Sequence, residues 1–140
     1  MFTAFRTLAA IVVGLLVAFA LVIAVEAFSA VVHPLPEDFG GTPEELCRHV
    51  ERYPPWILAV AVPAWALTAL LGAWTARRIG NQVSFAVVGL LLLAALVLNL
   101  AQLPYPLWFK IANLLAVPAA LVAAGRWPTR TRPAPLGAAK

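Results

Sequence analysis

The chain has 140 residues, 63% of them hydrophobic and 11% charged, whereas a soluble domain is roughly half apolar and one-quarter charged. This composition argues against a water-soluble globular fold and for one embedded in lipid. The net charge of +4 comes from basic residues scattered singly or in pairs beside apolar segments, which marks them as membrane-orienting charge and argues against a nucleic-acid-binding surface.

A membrane-crossing helix takes about 20 mostly apolar residues, and the sequence from Leu8 to Gly125 has room for four with short connections. The expected fold is all-α: a four-transmembrane-helix antiparallel bundle forming one domain over residues 1–125, with a short extracytoplasmic helix between the first two spans. The first span, 8–32, ends at His33-Pro34-Leu35-Pro36, where proline stops the helix. Its apolar run behind Arg6, with Ala27-Phe28-Ser29 as a small-x-small site, has features of a signal peptide. The stretch Leu8 to Val25 nevertheless exceeds the roughly 7–15 residues of a signal core, so it is kept as a helix.

Residues 33–55 form an outer loop that holds five of the six acidic residues. Within it, Thr42-Pro43-Glu44-Glu45 combines a capping hydroxyl, a proline at the first helical position and a glutamate three residues after the cap. The short helix so announced has Leu46, Val50 and Tyr53 on one face, suited to lie on the membrane surface or to cover the bundle. Three more spans follow at 56–76, 83–101 and 107–125, and Pro63 and Pro118 fall inside the second and fourth. The tail, 126–140, carries three prolines and four basic residues and reads as flexible and cytoplasmic.

Orientation follows from counting Lys and Arg by side. Arg6, Arg77, Arg78, Arg126, Arg130, Arg132 and Lys140 fall on one side, and Arg48, Arg52 and Lys110 on the other. The richer side is cytoplasmic by the positive-inside rule, with both termini there. Tyr53, Trp56, Tyr105 and Trp108 then mark the outer interface, and Trp74 and Trp127 the inner one.

Glu26 is the main candidate for function, because a carboxylate at membrane depth is costly and faces a protein interior, a partner or water. Counting back by fours from Ala30 gives Glu26, Val22, Ala18, Gly14 and Ala10, a ridge of mostly small residues on which another helix packs closely. Depth along each span, at about 1.5 Å of rise per residue, puts Asn99 and Asn113 in the same outer half as Glu26, with Gln102 and Lys110 nearer the interface. A polar cluster of Glu26, Asn99, Gln102, Lys110 and Asn113 is therefore expected, either as interhelical hydrogen bonds or as a site for a proton or a polar ligand. His33 and His49 flank the outer loop without a metal-ligand spacing. Cys47 is the single cysteine and cannot pair within its own chain.

Several short motifs match: Glu26 with His33-Pro34, Ala64-Trp65 with Gly72, Ala76-Arg77-Arg78-Ile79, Asn99 with Pro104, Pro106-Leu107-Trp108-Phe109, and Pro118-Ala119-Ala120. Through them the chain resembles a group of small four-helix integral membrane proteins of bacteria that carry no assigned activity. The resemblance covers most of the chain and implies architecture rather than a substrate.

Three functional classes follow. The leading expectation is a non-enzymatic component of the bacterial inner membrane that assembles with itself or with a membrane-protein partner, since small-residue ridges are present. The second is a small transporter or channel-forming subunit using Glu26. The third is an intramembrane lipid-modifying enzyme drawing on Glu26, His33 and His49, ranked last because no nucleophile, phosphate-cradling loop or metal motif accompanies them. No cofactor and no metal are expected, and the bilayer is the expected surround.

Overall fold

In the computed structural model, which describes residues 2–128, the chain forms five helices: α1 (Phe2–Val32), α2 (Pro43–Glu51), α3 (Pro55–Ile79), α4 (Gln82–Gln102) and α5 (Leu107–Arg126). There is no strand among the described residues. All but α2 are long and apolar enough to cross a membrane, which suggests a multi-pass membrane protein. Of the expected tail, residues 129–140 lie outside the described residues, as do Arg130, Arg132 and Lys140.

Local chemistry sets the helix ends. Thr42 caps α2: its side chain accepts from the Glu45 amide, and the Glu45 carboxylate accepts from the Thr42 amide at 3.2 Å and the Gly40 amide at 2.9 Å. These bonds hold the Glu45 carboxyl below its ordinary pKa. Asn81 caps α4, its Oδ1 accepting from Val83 and Ser84, while Ser84 Oγ accepts from the Asn81 amide. Each such cap is worth about 1 kcal/mol. Pro63 and Pro118 lie within α3 and α5 without ending either helix.

α3 is the hub, packed against α1, α4 and α5. α4 also touches α1 and α5, whereas α1 and α5 do not pack together. The tightest seam joins α1 to α3, where Ala10, Gly14 and Ala18 meet Gly72, Ala76 and Gly80, both sets repeating every four residues. A β-carbon added at Gly14 would lie 2.8 Å from both the Ala76 β-carbon and the Gly72 carbonyl oxygen. One added at Gly72 would lie 2.9 Å from the Ala18 β-carbon. Small residues on both sides thus bring the two backbones into contact, where dispersion is strongest.

Hydrogen bonds lock the end of the bundle that holds Arg6. Its Nε donates to the Ile79 carbonyl at 2.7 Å, Asn81 Nδ2 donates to Thr7 Oγ1 at 2.7 Å, and Ser84 Oγ donates to the Ala76 carbonyl at 2.9 Å. Arg77 donates to the Gly125 and Ala124 carbonyls at the end of α5. Arg6 and Arg77, read from sequence as orienting charge, thereby also satisfy carbonyls that helix ends leave unpaired. Arg78 lies over Trp74, 5.0 Å from the ring centroid, and Trp74 neighbours Trp127 at 6.1 Å.

Gly14→Leu should reduce stability by about 1–3 kcal/mol or more through overpacking, whereas Ala20→Leu, on an exposed face, should change it little. Thermal unfolding of the purified variants in detergent checks the difference.

Candidate functional site

Beyond Ala18 the ridge of α1 continues as Val22 and Glu26, which are exposed, and the seam opens. Cavities lie on both flanks of this half of α1. One, about 240 Å³, is apolar and runs between α1 and α3 past Phe28, Ile57 and Leu67. The other flank holds Glu26.

Glu26 of α1, Trp65 of α3 and Asn99 of α4 form a layer that borders two stacked cavities. Toward the Arg6 end is a groove of about 190 Å³, lined by Val22, Thr68, Leu92, Leu96 and Val117. The Thr68 hydroxyl is already used, donating to the Ala64 carbonyl at 2.9 Å. Toward α2 is a chamber of about 270 Å³. Leu46, His49 and Val50 of α2 roof it, and Tyr53, Tyr105 and Phe109 form its walls. Leu46, Val50 and Tyr53, the apolar face read from sequence, therefore cover the bundle.

The wall aromatics brace one another. Trp65 meets Phe109 edge-on at 5.4 Å and Tyr105 at 6.2 Å, and Tyr105 lies 4.8 Å from Phe109. Such contacts stabilise beyond their buried area and fix the rings. Burial first, then the Glu26 carboxylate and Tyr53, push the Tyr105 hydroxyl above its ordinary pKa. Burial and Glu26 likewise raise Tyr53, whose hydroxyl neighbours Ser29. Both phenols therefore stay protonated and able to donate.

The polar groups of this layer are short of partners. The buried Asn99 Oδ1 has none. Among the described residues the Glu26 carboxylate makes no hydrogen bond or ion pair, and its electrostatic neighbours are the Tyr53 and Tyr105 phenols. A buried unpaired acceptor is costly, and so is an ionisable group lacking a counter-charge.

The other candidates stand apart. Asn113 is fully buried, its Nδ2 donating back to the Phe109 carbonyl at 3.0 Å and its Oδ1 unpartnered. Neither Asn113, Gln102 nor Lys110 borders either Glu26 cavity. Lys110 sits on α5, which does not pack against α1. The sequence named Glu26 and Asn99 as candidates but assigned Tyr53 and Tyr105 to the interface. Their only signal was aromatic residues near the depth of Glu26.

His33 and His49 come together above the chamber. Their rings stack at 4.3 Å with a 24° interplanar angle, and Tyr53 lies 4.6 Å from His33 and 5.3 Å from His49. His33 Nε2 is 3.4 Å from the His49 carbonyl oxygen. The two imidazoles face each other rather than converging on a third ligand, and no group of three metal-ligating side chains occurs among the described residues. Cys47 is half-buried on α2.

No known protein family, no characterised protein and no solved structure matches the chain.

Burial, His33 and Arg52 hold the His49 ring below its ordinary pKa, so the fold favours its neutral form. The stability gained is complete above the unfolded value of about 6.5 and is lost as pH falls through the lowered folded value. Thermal unfolding should therefore shift to lower temperature between about pH 7.5 and pH 5, and His49→Gln should shrink that shift.

Proposed function

We propose that the protein is a non-enzymatic, multi-pass component of the bacterial cytoplasmic membrane that takes up a polar guest at the Glu26 layer, as a small transporter or binding subunit does. In this reading α1, α3, α4 and α5 cross the bilayer with alternating direction, both termini are cytoplasmic and α2 lies outside. Several observations support that frame. The start of α1 and the ends of α3 and α5 are bonded together at one end of the bundle, as alternating helices require. Large apolar side chains, Leu90, Leu107 and Leu115 among them, are exposed on the bundle surface, where lipid rather than water suits them. α1 has 31 residues, hence a length of about 46 Å, enough to carry Arg6 beyond a hydrocarbon core of about 30 Å.

The observation that carries the reading is the Glu26 layer: a carboxylate and an amide oxygen, both without a hydrogen-bond or ion-pair partner among the described residues, at the junction of two cavities. An arrangement built for stability alone would pair them. Assembly with a second copy or another membrane protein is a second reading, favoured by the uncovered flank of α1 at Val22 and Phe28. It gains less support than the sequence promised, because the ridge of Ala10, Gly14 and Ala18 is already occupied by α3.

The guest-binding reading requires access from outside. In a Cys47→Ser background, Asn99→Cys in right-side-out vesicles should react at least about tenfold faster with a small membrane-impermeant thiol reagent than Leu100→Cys, whose position is in the core and shielded from thiolate chemistry. Equal rates would overturn the reading.

A further inference from the structure

We infer that the chamber beneath α2 is a binding site for a small organic cation, an alkylammonium group held between the Glu26 carboxylate and the faces of Tyr53, Trp65 and Tyr105. The inference rests on the guest-binding reading above and names the chemical class of the guest. Its volume of about 270 Å³ falls just below the roughly 300–1,000 Å³ of sites for drug-sized ligands, so the guest is small.

Charge decides the sign. The Glu26 carboxylate, the unpaired Asn99 Oδ1 and three aromatic rings line the cavity, and the face of an aromatic ring carries negative potential. An anion is repelled by the Glu26 carboxylate. A neutral apolar guest would leave both Glu26 and the buried Asn99 Oδ1 unpaired, which is the costlier outcome. A bare metal cation needs about six oxygen ligands, and a wall of carbon rings does not supply them. An alkylammonium fits each surface: its charge meets Glu26, its methyl or methylene groups lie on the rings, and any N–H donates to Asn99 Oδ1. The ring geometry favours this role, because Phe109 braces both Trp65 and Tyr105 and leaves less ordering to be done when the guest arrives.

The test uses the full chain in nanodiscs of phosphatidylglycerol, whose headgroup carries no ammonium, with radiolabelled choline as probe. Its neutral isostere, 3,3-dimethylbutan-1-ol, replaces the charged nitrogen with carbon. Saturable choline binding at one site per chain is expected, with the isostere competing at least tenfold more weakly. Glu26→Gln should weaken choline at least tenfold, and Trp65→Leu severalfold, in protein that elutes and unfolds like the wild type. Discs containing phosphatidylethanolamine separate the two sources of the ammonium: weaker choline binding there assigns the site to a lipid headgroup, and unchanged binding assigns it to a soluble cation.

The isostere comparison uses wild-type protein and stands even where a variant does not fold. Choline binding that does not saturate at millimolar concentrations, or an isostere that competes equally, overturns the inference. If Asn99→Cys is still labelled from outside, only the guest's class has failed; if it is not, the guest-binding reading fails with it.

Discussion

The close approach of α1 to α3 governs the rest of this structure. Gly14 and Gly72 let two backbones touch, and Ala10, Ala18 and Ala76 continue the seam on either side. Contact that tight is available only while the ridge stays small. At Val22 and Glu26 the ridge becomes bulky and exposed, and cavities open beside α1 along the half of its length nearest α2. One end of the helix is fixed by dispersion and by the Arg6 and Thr7 hydrogen bonds; the other frames a cavity on each flank.

The two ends of the bundle are therefore built from different interactions. At the Arg6 end, guanidinium and hydroxyl groups close onto helix-terminal carbonyls, and the Asn81 amide donates to the Thr7 hydroxyl. At the α2 end, aromatic contacts dominate, from the stacked His33 and His49 to the cluster of Trp65, Tyr105 and Phe109. Rings pack without consuming the hydrogen-bonding capacity of what they surround, so Glu26 and Asn99 can stand among them unpaired. The polar end holds the helices together, and the aromatic end leaves space.

Much of this was legible in the sequence, for identifiable reasons. The long helices followed from apolar runs of spanning length, the first stopped at Pro34, and α2 from the Thr42 and Glu45 cap, because these signals are local. The small ridge on α1 was legible as a pattern, but its partner was not: the exposed and buried faces of these helices are almost equally apolar, so periodicity does not say which face meets which helix. The same gap explains the scatter of the polar candidates. Depth along a helix put Glu26, Asn99 and Asn113 in one half of the bundle, with Gln102 and Lys110 within about a turn of them toward the interface, yet rotation about the helix axis decides contact. Rotation brings Asn99 to the Glu26 cavities and leaves Asn113, Gln102 and Lys110 off them. The stacking of His33 on His49 depends on how the loop between Pro34 and Gly41 returns, which no short-range rule determines.

The proposed activity follows from what the chain withholds from Glu26. In a low-dielectric setting a carboxylate seeks a counter-charge, and Lys110 is the nearest basic residue in depth. It belongs to α5, which packs on the opposite side of the bundle from α1. The most direct measurement is rotational-echo dipolar coupling, in lipid bilayers, between a carbon-13 label on the Glu26 carboxyl and a nitrogen-15 label on the Lys110 ammonium. No coupling above background is predicted. A coupling that corresponds to an ion pair, with nitrogen and oxygen within about 4 Å, would mean that the chain neutralises its own carboxylate, and would contradict a site held open for a guest.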